Sequence, residues 1–385
     1  MQSKFSDGLE LRKHWMLAPD MHFLNHGSFG ATPRVVLAAE QQWQVRMESQ
    51  PVDFMVRELP GLLRMAAGEL ANFLGAKPED LAFVENATAA VNSVLRAYPW
   101  QVGDELLLCS HSYPAVKNAA NFVARQFGIK LREFDFCFPL QDEAEMLHAF
   151  SSSITANTRM AIIDHISSPL AIIYPLQKML DICRSHGVKT LVDGAHVPGM
   201  LPLKIETLGA DWYLGNCHKW LFAPKGCAFL WAAPNAQDFL QPLVVSLRMD
   251  EAFPANFDWV GTRDPSAWLA ITAALQFYHE MGGAAIPQRL HEFVIAVATN
   301  LAKAWQVELP APVQQYGAMV TLPLPLPRGA TQSQANALRD KLWGDYRIEV
   351  PLFSLQGRLW ARISAQLYNV EADYEALAKA VLQLK

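Results

Sequence analysis

Lys219 and Asp193 each follow a predicted strand, and this placement would let the two side chains act together in a reaction on an amino acid. The stretch 188–199 (VKTLVDGAHVPG) predicts an apolar strand that delivers Asp193 into a glycine-containing loop, and 212–220 (WYLGNCHKW) predicts a second short strand before Lys219. An enzyme that uses pyridoxal phosphate needs this pair. The lysine forms the Schiff base, and the carboxylate keeps the pyridine nitrogen protonated so that the ring accepts electrons. The alternative is a surface lysine after a core strand, since lysines are mostly exposed.

A phosphate could bind where a predicted strand turns into a helix within 81–95 (LAFVENATAAVNSVL). Ala87 and Thr88 lie at the helix N-terminus, where free backbone N–H groups and the helix dipole favour an anion. An ordinary N-cap by Asn86 or Thr88 would explain the same residues without a ligand. Because Lys219 and Asp193 already indicate a cofactor that carries a phosphate, we favour a bound phosphate over an ordinary N-cap at this helix.

Aromatic and imidazole side chains follow the same strands. Tyr113 or His111, in 109–116 (CSHSYPAV), could lie flat on a pyridine ring, although Tyr113 could equally be a core aromatic. His196 comes shortly after the acid, and His218 directly precedes the lysine. Either histidine could hydrogen-bond the cofactor's phenolic oxygen or its phosphate.

One arginine near the C-terminus could recognise a substrate carboxylate. Arg362 lies in the predicted strand 358–364 (RLWARIS), and a guanidinium can bind a carboxylate through two parallel hydrogen bonds. A solvated strand residue is the alternative. We expect no metal at His22 and His26, because no third ligand lies at a suitable spacing.

These residues need a sheet to position them, and the pattern from about 60 to 232 predicts one. Short apolar strands alternate with helical periodicities, which is typical of a mostly parallel α/β sheet covered on both faces, with ligands beyond the carboxyl ends of its strands. The predicted strands are 82–84, 105–109, 129–134, 159–164, 190–193, 212–214 and 227–231. The predicted helices are 62–74, 88–97, 114–127, 142–153 and 175–186.

The alternation of short strands and helices ends at about residue 258, which predicts a second domain. Two long helices are followed by a segment with five prolines and then by short elements. We therefore divide the chain into a large domain, 1–257, and a small α+β domain, 258–385. The predicted elements of the small domain are helices 265–281, 284–306, 331–343 and 371–384, strands 347–350 and 359–364, and the proline-rich segment 309–327.

Composition limits the class of protein. Hydrophobic residues make up 51% and charged residues 18% of the 385, which indicates a globular chain. The net charge of −5 gives no electrostatic reason to expect nucleic acid or an anionic membrane as a partner. Five cysteines without a CxxC spacing favour reduced thiols in the cytoplasm. The N-terminus has no apolar region typical of a signal peptide, and no apolar run is long enough to span a bilayer.

The motifs taken together resemble the class V aminotransferase superfamily of fold-type I pyridoxal phosphate enzymes, and within it the isopenicillin N epimerase-like branch. They follow one another over nearly the whole chain. The matching stretches are FLNHGSFGATP (23–33), ENATAAVNSVL (85–95), DHISSP (164–169), LVDGAHVPG (191–199), GNCHKW (215–220), WVGTRDPSAWLAI (259–271) and RISAQLYN (362–369).

The resemblance implies a role for each candidate residue. Lys219 would be the Schiff-base lysine and Asp193 the partner of the pyridine nitrogen, with His196 beside the ring oxygen and Tyr113 stacked on the ring. The phosphate would be held by Ala87, Thr88, Asn216 and His218, and by Thr262 from the partner subunit of a homodimer with a shared site. Arg362 would bind the carboxylate of an amino acid substrate, and Asn25 would lie in a loop near it.

The reaction stays open at this level. Abstraction of the α-proton by Lys219 can lead to epimerisation, transamination or carbon–sulfur lysis, and a catalytically idle protein of the same fold is the alternative outside enzymes. Cysteine desulfurases of the superfamily carry a reactive cysteine before the carboxylate-binding arginine, and this chain has no cysteine after Cys227. Leu170 replaces a threonine of many relatives. We expect Lys225, beyond Pro224, to matter little.

Overall fold

The computed structural model describes residues 7–384. The first six residues of the stretch considered for a signal peptide lie outside this range. Twelve β-strands are present within it. They are β1 (His22–Phe23), β2 (Leu81–Val84), β3 (Glu105–Cys109), β4 (Lys130–Phe134), β5 (Thr158–Asp164), β6 (Lys189–Asp193), β7 (Trp212–Asn216), β8 (Ala228–Ala232), β9 (Met319–Pro323), β10 (Ile348–Glu349), β11 (Leu352–Leu355) and β12 (Arg358–Ser364).

Strands β2 to β8 form one seven-stranded sheet in the order β2-β8-β7-β6-β5-β3-β4. Strand β8 runs antiparallel to both of its neighbours, and the remaining pairs are parallel. This confirms the predicted α/β class with a mostly parallel sheet. The predicted strands of this region are all present, with ends that differ by one or two residues.

Both faces of this sheet are buried except at the edge strand β4, which explains why the other strands are mostly apolar. In β3, Leu106 and Leu108 belong to one buried cluster, whereas Leu107 and Cys109 belong to the other. Successive side chains of a strand point to opposite faces, so helices must cover both.

The helices of the structure include all five that the sequence predicts between residues 62 and 186, and several that it does not predict. Those within the described residues are α1 (Gly8–Leu11), α2 (His26–Phe29), α3 (Arg34–Ser49), α4 (Pro51–Asp53), α5 (Leu59–Leu74), α6 (Ala87–Ala97), α7 (Pro114–Phe127), α8 (Glu143–Ser152), α9 (Leu176–Ser185), α10 (Ile205–Leu208), α11 (Ala255–Asp258), α12 (Ser266–Leu269), α13 (Ile271–Glu280), α14 (Ile286–Trp305), α15 (Gln332–Tyr346) and α16 (Glu371–Gln383).

The C-terminal part of the chain holds a smaller sheet of order β11-β12-β9. Two sequence-based predictions are corrected here. The helix predicted over 265–281 is interrupted at Ala270, whose ψ of −2° lies outside the helical range. The proline-rich segment contains strand β9, and Pro323 is tolerated because it ends an edge strand.

The N-terminal segment joins this C-terminal part. Strand β1 pairs in parallel with β10, with His22 opposite Ile348 and Phe23 opposite Glu349. The division at 257/258 stays a prediction, and helices α12 and α13, which follow it, pack on α3 and α5. No helix among residues 7–384 combines the length and hydropathy required to cross a membrane.

Candidate active site

The carboxyl edge of the large sheet gathers the polar side chains. Asp164, Asp193 and Asn216 are the last residues of β5, β6 and β7, which are neighbouring strands. The chain must turn sharply after the acid, and Gly194 allows this, because a Cβ there would lie 2.3 Å from the ring of Tyr213. Short strands and tight turns therefore bring these polar groups to one place.

A cavity of about 620 Å³ opens at this edge. Every sequence-predicted site residue except Asn25 and Thr262 lines it, namely Ala87, Thr88, Tyr113, Asp193, His196, Asn216, His218, Lys219 and Arg362. The structure thus brings together residues from β6, β7, β12, the start of α6 and the turn before α7.

Lys219 lies in the turn between β7 and β8, and its backbone is fixed. The carbonyl oxygen of Lys219 is 2.9 Å from Nε2 of His26, and Gly30 packs so closely on the same turn that a Cβ would lie 2.1 Å from the His218 carbonyl. Burial, reinforced by the charge of Arg362, lowers the pKa of Lys219 to about 7, and Asp193 opposes this shift. A lysine with this pKa is largely available as a neutral amine at physiological pH.

Two carboxyl groups lie side by side under the cavity. Asp164 and Asp193 are register partners on parallel strands, and both are buried. Burial and then the charge of Asp193 raise the pKa of Asp164 to about 8, while the Ser112 hydroxyl donates to Asp164 Oδ2 at 2.9 Å. The pKa of Asp193 is also raised by burial, against the backbone N–H of Ala195 and the charge of Lys219. We assign the single negative charge to Asp193, because two adjacent buried carboxyls resist ionising together.

The start of α6 forms the opposite wall of the cavity. The Ala87 N–H donates to Asn216 Oδ1 at 2.9 Å, so this backbone group positions the asparagine. Asn86 caps the helix by accepting from the Ala89 N–H. Burial, with the charge of Lys219, lowers the pKa of His218 to about 4, so the imidazole that lines the cavity together with Thr88 is neutral.

Arg362 is held by residues from two other parts of the chain. Its Nη1 donates to the Ser168 carbonyl at 2.7 Å and to the Ser168 hydroxyl at 3.1 Å, and its Nη2 donates to Ser28 Oγ at 3.1 Å. Ser28 in turn donates to Asn25, whose amide donates to Glu349. The Arg362 Nε is buried and has no protein partner. Burial lowers the pKa of Arg362 to about 10, so it stays protonated.

The two predicted residues outside the cavity have different surroundings. Asn25 is buried behind the arginine, which it reaches through Ser28, and it does not contact the cavity directly. Thr262 is exposed, and its neighbour Arg263 donates to Glu85 at 2.6 Å at the cavity rim. Tyr113 is 46% exposed at the mouth.

Sequence reasoning missed several cavity residues. Asp164 could have been found, because it ends a predicted strand in the same way as Asp193. Ser28 and Ser168 carry no such signal, since serine is common in turns. The histidines considered for a metal are engaged separately, with His22 on Asp373 and His26 on Tyr368. Residues 7–384 contain no cluster of three or more histidine, cysteine or acidic side chains suited to a metal ion.

The donor set fits pyridoxal phosphate. Lys219 supplies an amine of lowered pKa, Asp193 supplies a buried carboxylate, and the unpartnered Nε of Arg362 marks a place for an anionic group. The fold and the cavity thus define a pyridoxal phosphate enzyme of fold type I.

Comparison with known proteins agrees with this class. The sequence matches the family Aminotransferase class-V over residues 24–342. It is 33% identical to an isopenicillin N epimerase of Amycolatopsis lactamdurans, over 97% of each chain. It is 32% identical to the putative L-cysteine desulfhydrase 1 of Oryza sativa subsp. japonica, over 94% of this chain and 82% of that protein. The chain belongs to the class-V aminotransferase family and is a pyridoxal phosphate-dependent enzyme.

Solved structures show the same fold. A mutant of C-DES with glycine covalently linked to its pyridoxal phosphate cofactor superposes with a TM-score of 0.80 at 22% identity, covering 96% of this chain and 98% of that one. An apo cysteine desulfurase from Thermococcus onnurineus gives a TM-score of 0.80 at 19% identity, over 97% of each chain. These similarities confirm the fold-type I architecture.

Proposed function

We propose that this enzyme cleaves the carbon–sulfur bond of a cysteine-like amino acid by β-elimination, with Lys219 as the base that removes the α-proton. The single observation that carries the choice of lysis is the similarity to L-cysteine desulfhydrases over 94% of this chain. Lys219, with its pKa of about 7, is a cavity amine suited to the proton transfer near neutral pH that each candidate reaction needs. The cofactor supplies an electron sink for the carbanion when it is bound. Asp193 would keep the pyridine nitrogen protonated, and Tyr113 would stack on the ring.

The remaining site residues would hold the two reactants. Thr88, Asn216 and His218 would hold the phosphate, with Ala87 positioning Asn216, and His196 would lie beside the ring oxygen. Arg362 would bind the substrate carboxylate, held in place by Ser28 and Ser168. Asn25 would act by positioning Ser28.

The atoms and electrons of this carbon–sulfur lysis balance without an added oxidant or reductant. Lys219 takes the α-proton, the Cβ–S bond breaks, and sulfur leaves with the bonding pair as hydrosulfide. Water then converts the three-carbon remainder to pyruvate and ammonium. No cysteine among the described residues lines the cavity, and Cys109, Cys183, Cys217 and Cys227 are buried, so release of free sulfide is favoured over transfer to a protein thiol.

Assays with several substrates test the proposal. We expect sulfide and pyruvate in equal amounts from L-cysteine, and neither product with the Lys219→Ala variant. Glyoxylate or pyruvate consumption with other amino acids would indicate transamination instead. If L-cysteine gives no sulfide while its α-hydrogen exchanges with solvent deuterium, the proposed lysis is wrong.

Epimerisation is the second candidate, because the epimerase relative matches this chain over nearly its full length. It would need an acid on the face opposite Lys219. Burial lowers the pKa values of His196 and His218 far below neutrality, which makes them poor acids. Asp164, Lys225 and Tyr113 are other proton donors that line the cavity, and we choose Tyr113 because its proposed position on the ring would place it at a face of the cofactor. Conversion of L-amino acids to D-amino acids, lost in Tyr113→Phe, would support this candidate. A preparation without bound or borohydride-reducible cofactor would instead support a catalytically idle protein.

We further propose a cytoplasmic homodimer in which Thr262 completes the site of the partner subunit. The exposure of Thr262 and the exposed apolar stretch that includes Leu243, Val244 and Leu247 support it. An apolar patch of this kind is suited to contact with a second copy. Light scattering with and without pyridoxal phosphate tests the assembly, and a stable monomer carrying full cofactor would rule out a shared site.

A further inference from the structure

Lys225 is a second lysine of the cavity, and neither the motifs nor the proposed reaction uses it. It lies in the same turn as Lys219, between Pro224 and Gly226, and it lines the cavity. Its Nζ donates to Thr32 Oγ1 at 3.1 Å. The sequence alone predicts that Lys225 matters little, and this position gives a reason to expect a role for it.

The turn that carries Lys225 is tied to the phosphate side of the cavity. The indole N–H of Trp268 lies 2.9 Å from the Gly226 carbonyl and 3.2 Å from the Val84 carbonyl. Val84 ends β2, immediately before the turn that leads to Thr88. One indole therefore holds the lysine turn against the end of β2, from which the chain leads into α6.

Electrostatics places the ammonium of Lys225 near the same end. Its charge contributes to the lowered pKa of His218, the imidazole assigned to the phosphate. Lys225 is an exposed residue at the cavity, its pKa is lowered by partial desolvation, and the carboxyl of Glu40 opposes this shift. Glu40 lies behind the lysine, on α3, and lines a separate pocket that Lys225 also borders.

The other cations of the cavity are committed elsewhere. Lys219 is required for covalent attachment, and Arg362 is held by two serines at the substrate end. Arg263 at the rim is paired with Glu85 and stacked on Trp268 at 3.6 Å. The groups assigned to the phosphate are a hydroxyl, an amide and a neutral imidazole, so they leave its negative charge without a positive partner.

We propose that the ammonium of Lys225 binds the phosphate group of the cofactor and supplies the positive charge that this end of the cavity otherwise lacks. The Thr32 hydroxyl accepts one hydrogen bond from the ammonium and holds it in place, and the two remaining N–H groups of the ammonium are available to the anion. The inference rests on the proposed location of the phosphate beside Thr88 and His218, and it is independent of the reaction catalysed.

Binding of two ligands by the apoenzyme tests this role. Pyridoxal and pyridoxal phosphate differ only in the phosphate, and each can be titrated by absorbance. We expect Lys225→Met to weaken binding of pyridoxal phosphate by about tenfold or more, the scale of one charge-assisted hydrogen bond, with little change for pyridoxal. Lys225→Arg should keep most of the affinity. Inorganic phosphate should raise the melting temperature of the wild-type apoenzyme more than that of Lys225→Met.

Lys189→Met is the matched control, because Lys189 is a partly exposed lysine at the opposite edge of the same sheet, paired with Asp211. Equal losses for both ligands, or unchanged affinity for both, would overturn the proposal. Unchanged cofactor affinity with a raised KM for acidic amino acids would assign Lys225 to the substrate instead. Borohydride labelling at a lysine other than Lys219 would show that the site assignment itself is wrong.

Discussion

His196 and Lys219 form a hydrogen bond whose direction is set by a third residue. The Lys219 Nζ lies 3.3 Å from His196 Nε2, and the indole N–H of Trp220 donates to His196 Nδ1 at 3.4 Å. An indole only donates, so Nδ1 must lack a proton, and the neutral imidazole carries its proton on Nε2. The hydrogen bond therefore runs from His196 to a lone pair on Lys219, which requires the lysine to be an uncharged amine.

This relationship predicts how cofactor capture depends on pH. The amine is the reactive form, so the rate at which apoenzyme captures pyridoxal should rise with pH through a midpoint near pH 7 and level off about one pH unit above it. Pyridoxal is preferred to its phosphate because it removes the ionisation of the phosphate from the profile. Stopped-flow absorbance measures the rate. A midpoint above pH 9 would mean that the lysine is protonated at rest.

Asp193→Asn should keep the cofactor but lose most turnover. An amide cannot hold a proton on the pyridine nitrogen, so stabilisation of the carbanion falls, and we expect a decrease in kcat on the order of a hundredfold or more. Cofactor content by absorbance and kcat on the best substrate separate binding from chemistry. Near-normal turnover in this variant would assign the nitrogen partner to another residue.

Asp164→Asn should stabilise the apoenzyme, and more so at high pH. The folded state raises the pKa of Asp164 from 3.8 to about 8, so between these values the folded protein binds more protons than the unfolded chain, and stability falls as pH rises. Asparagine removes this dependence and can still accept from Ser112. Melting temperatures should show a larger gain at about pH 8 than at about pH 5. An equal gain at both values would contradict a protonated Asp164.

Arg362→Met should weaken substrate binding through the carboxylate. Loss of a hydrogen bond to a charged group costs about 1.5–3 kcal/mol, so KM for an α-amino acid should rise by about tenfold or more. An amine without the carboxylate should show no such change. Arg358→Met, at the start of the same strand, is the control. A similar rise in both variants would indicate a general loss of packing in β12.

Mixed dimers test whether Thr262 acts across subunits. Co-expressed Lys219→Ala and Thr262→Ala chains form heterodimers in which one site regains both residues if Thr262 acts in trans. About a quarter of all sites would then be intact in a random mixture, because half of the dimers are mixed and each has one restored site. Activity no higher than that of the separate variants would place Thr262 in its own subunit.

Much of the large domain could be predicted because its local signals agree with one another. Strand β3 is buried at every position and apolar from Leu106 to Cys109 because both faces are covered, and Pro114 marks the start of α7. Asp193 and Lys219 follow two such strands, so the parallel-sheet rule alone brings them to one edge. Local pattern and topology point to the same place in this part of the chain.

The parts that could not be predicted depend on contacts far apart in sequence. Helix α3 buries only Val36 fully, so its weak amphipathic pattern predicts no helix packed on a core. Arg362 is oriented by Ser28, which no local pattern connects to it. Lys225 is exposed, and the sequence predicts that it matters little because it lies beyond Pro224 in the turn before β8. Its position follows from Trp268, which lies in a later helix.

The pairing of β1 with β10 changes how the beginning of this chain should be handled. The segment from His22 to Gly30 contributes a strand, the hydroxyl that holds Arg362 and the imidazole on the Lys219 carbonyl. Trimming it to obtain a shorter expression fragment would remove supports from both ends of the cavity. An affinity tag attached directly at this strand could disturb the β1–β10 pairing and the contacts that Ser28 and His26 make, so a C-terminal tag after α16 is the better choice for purification.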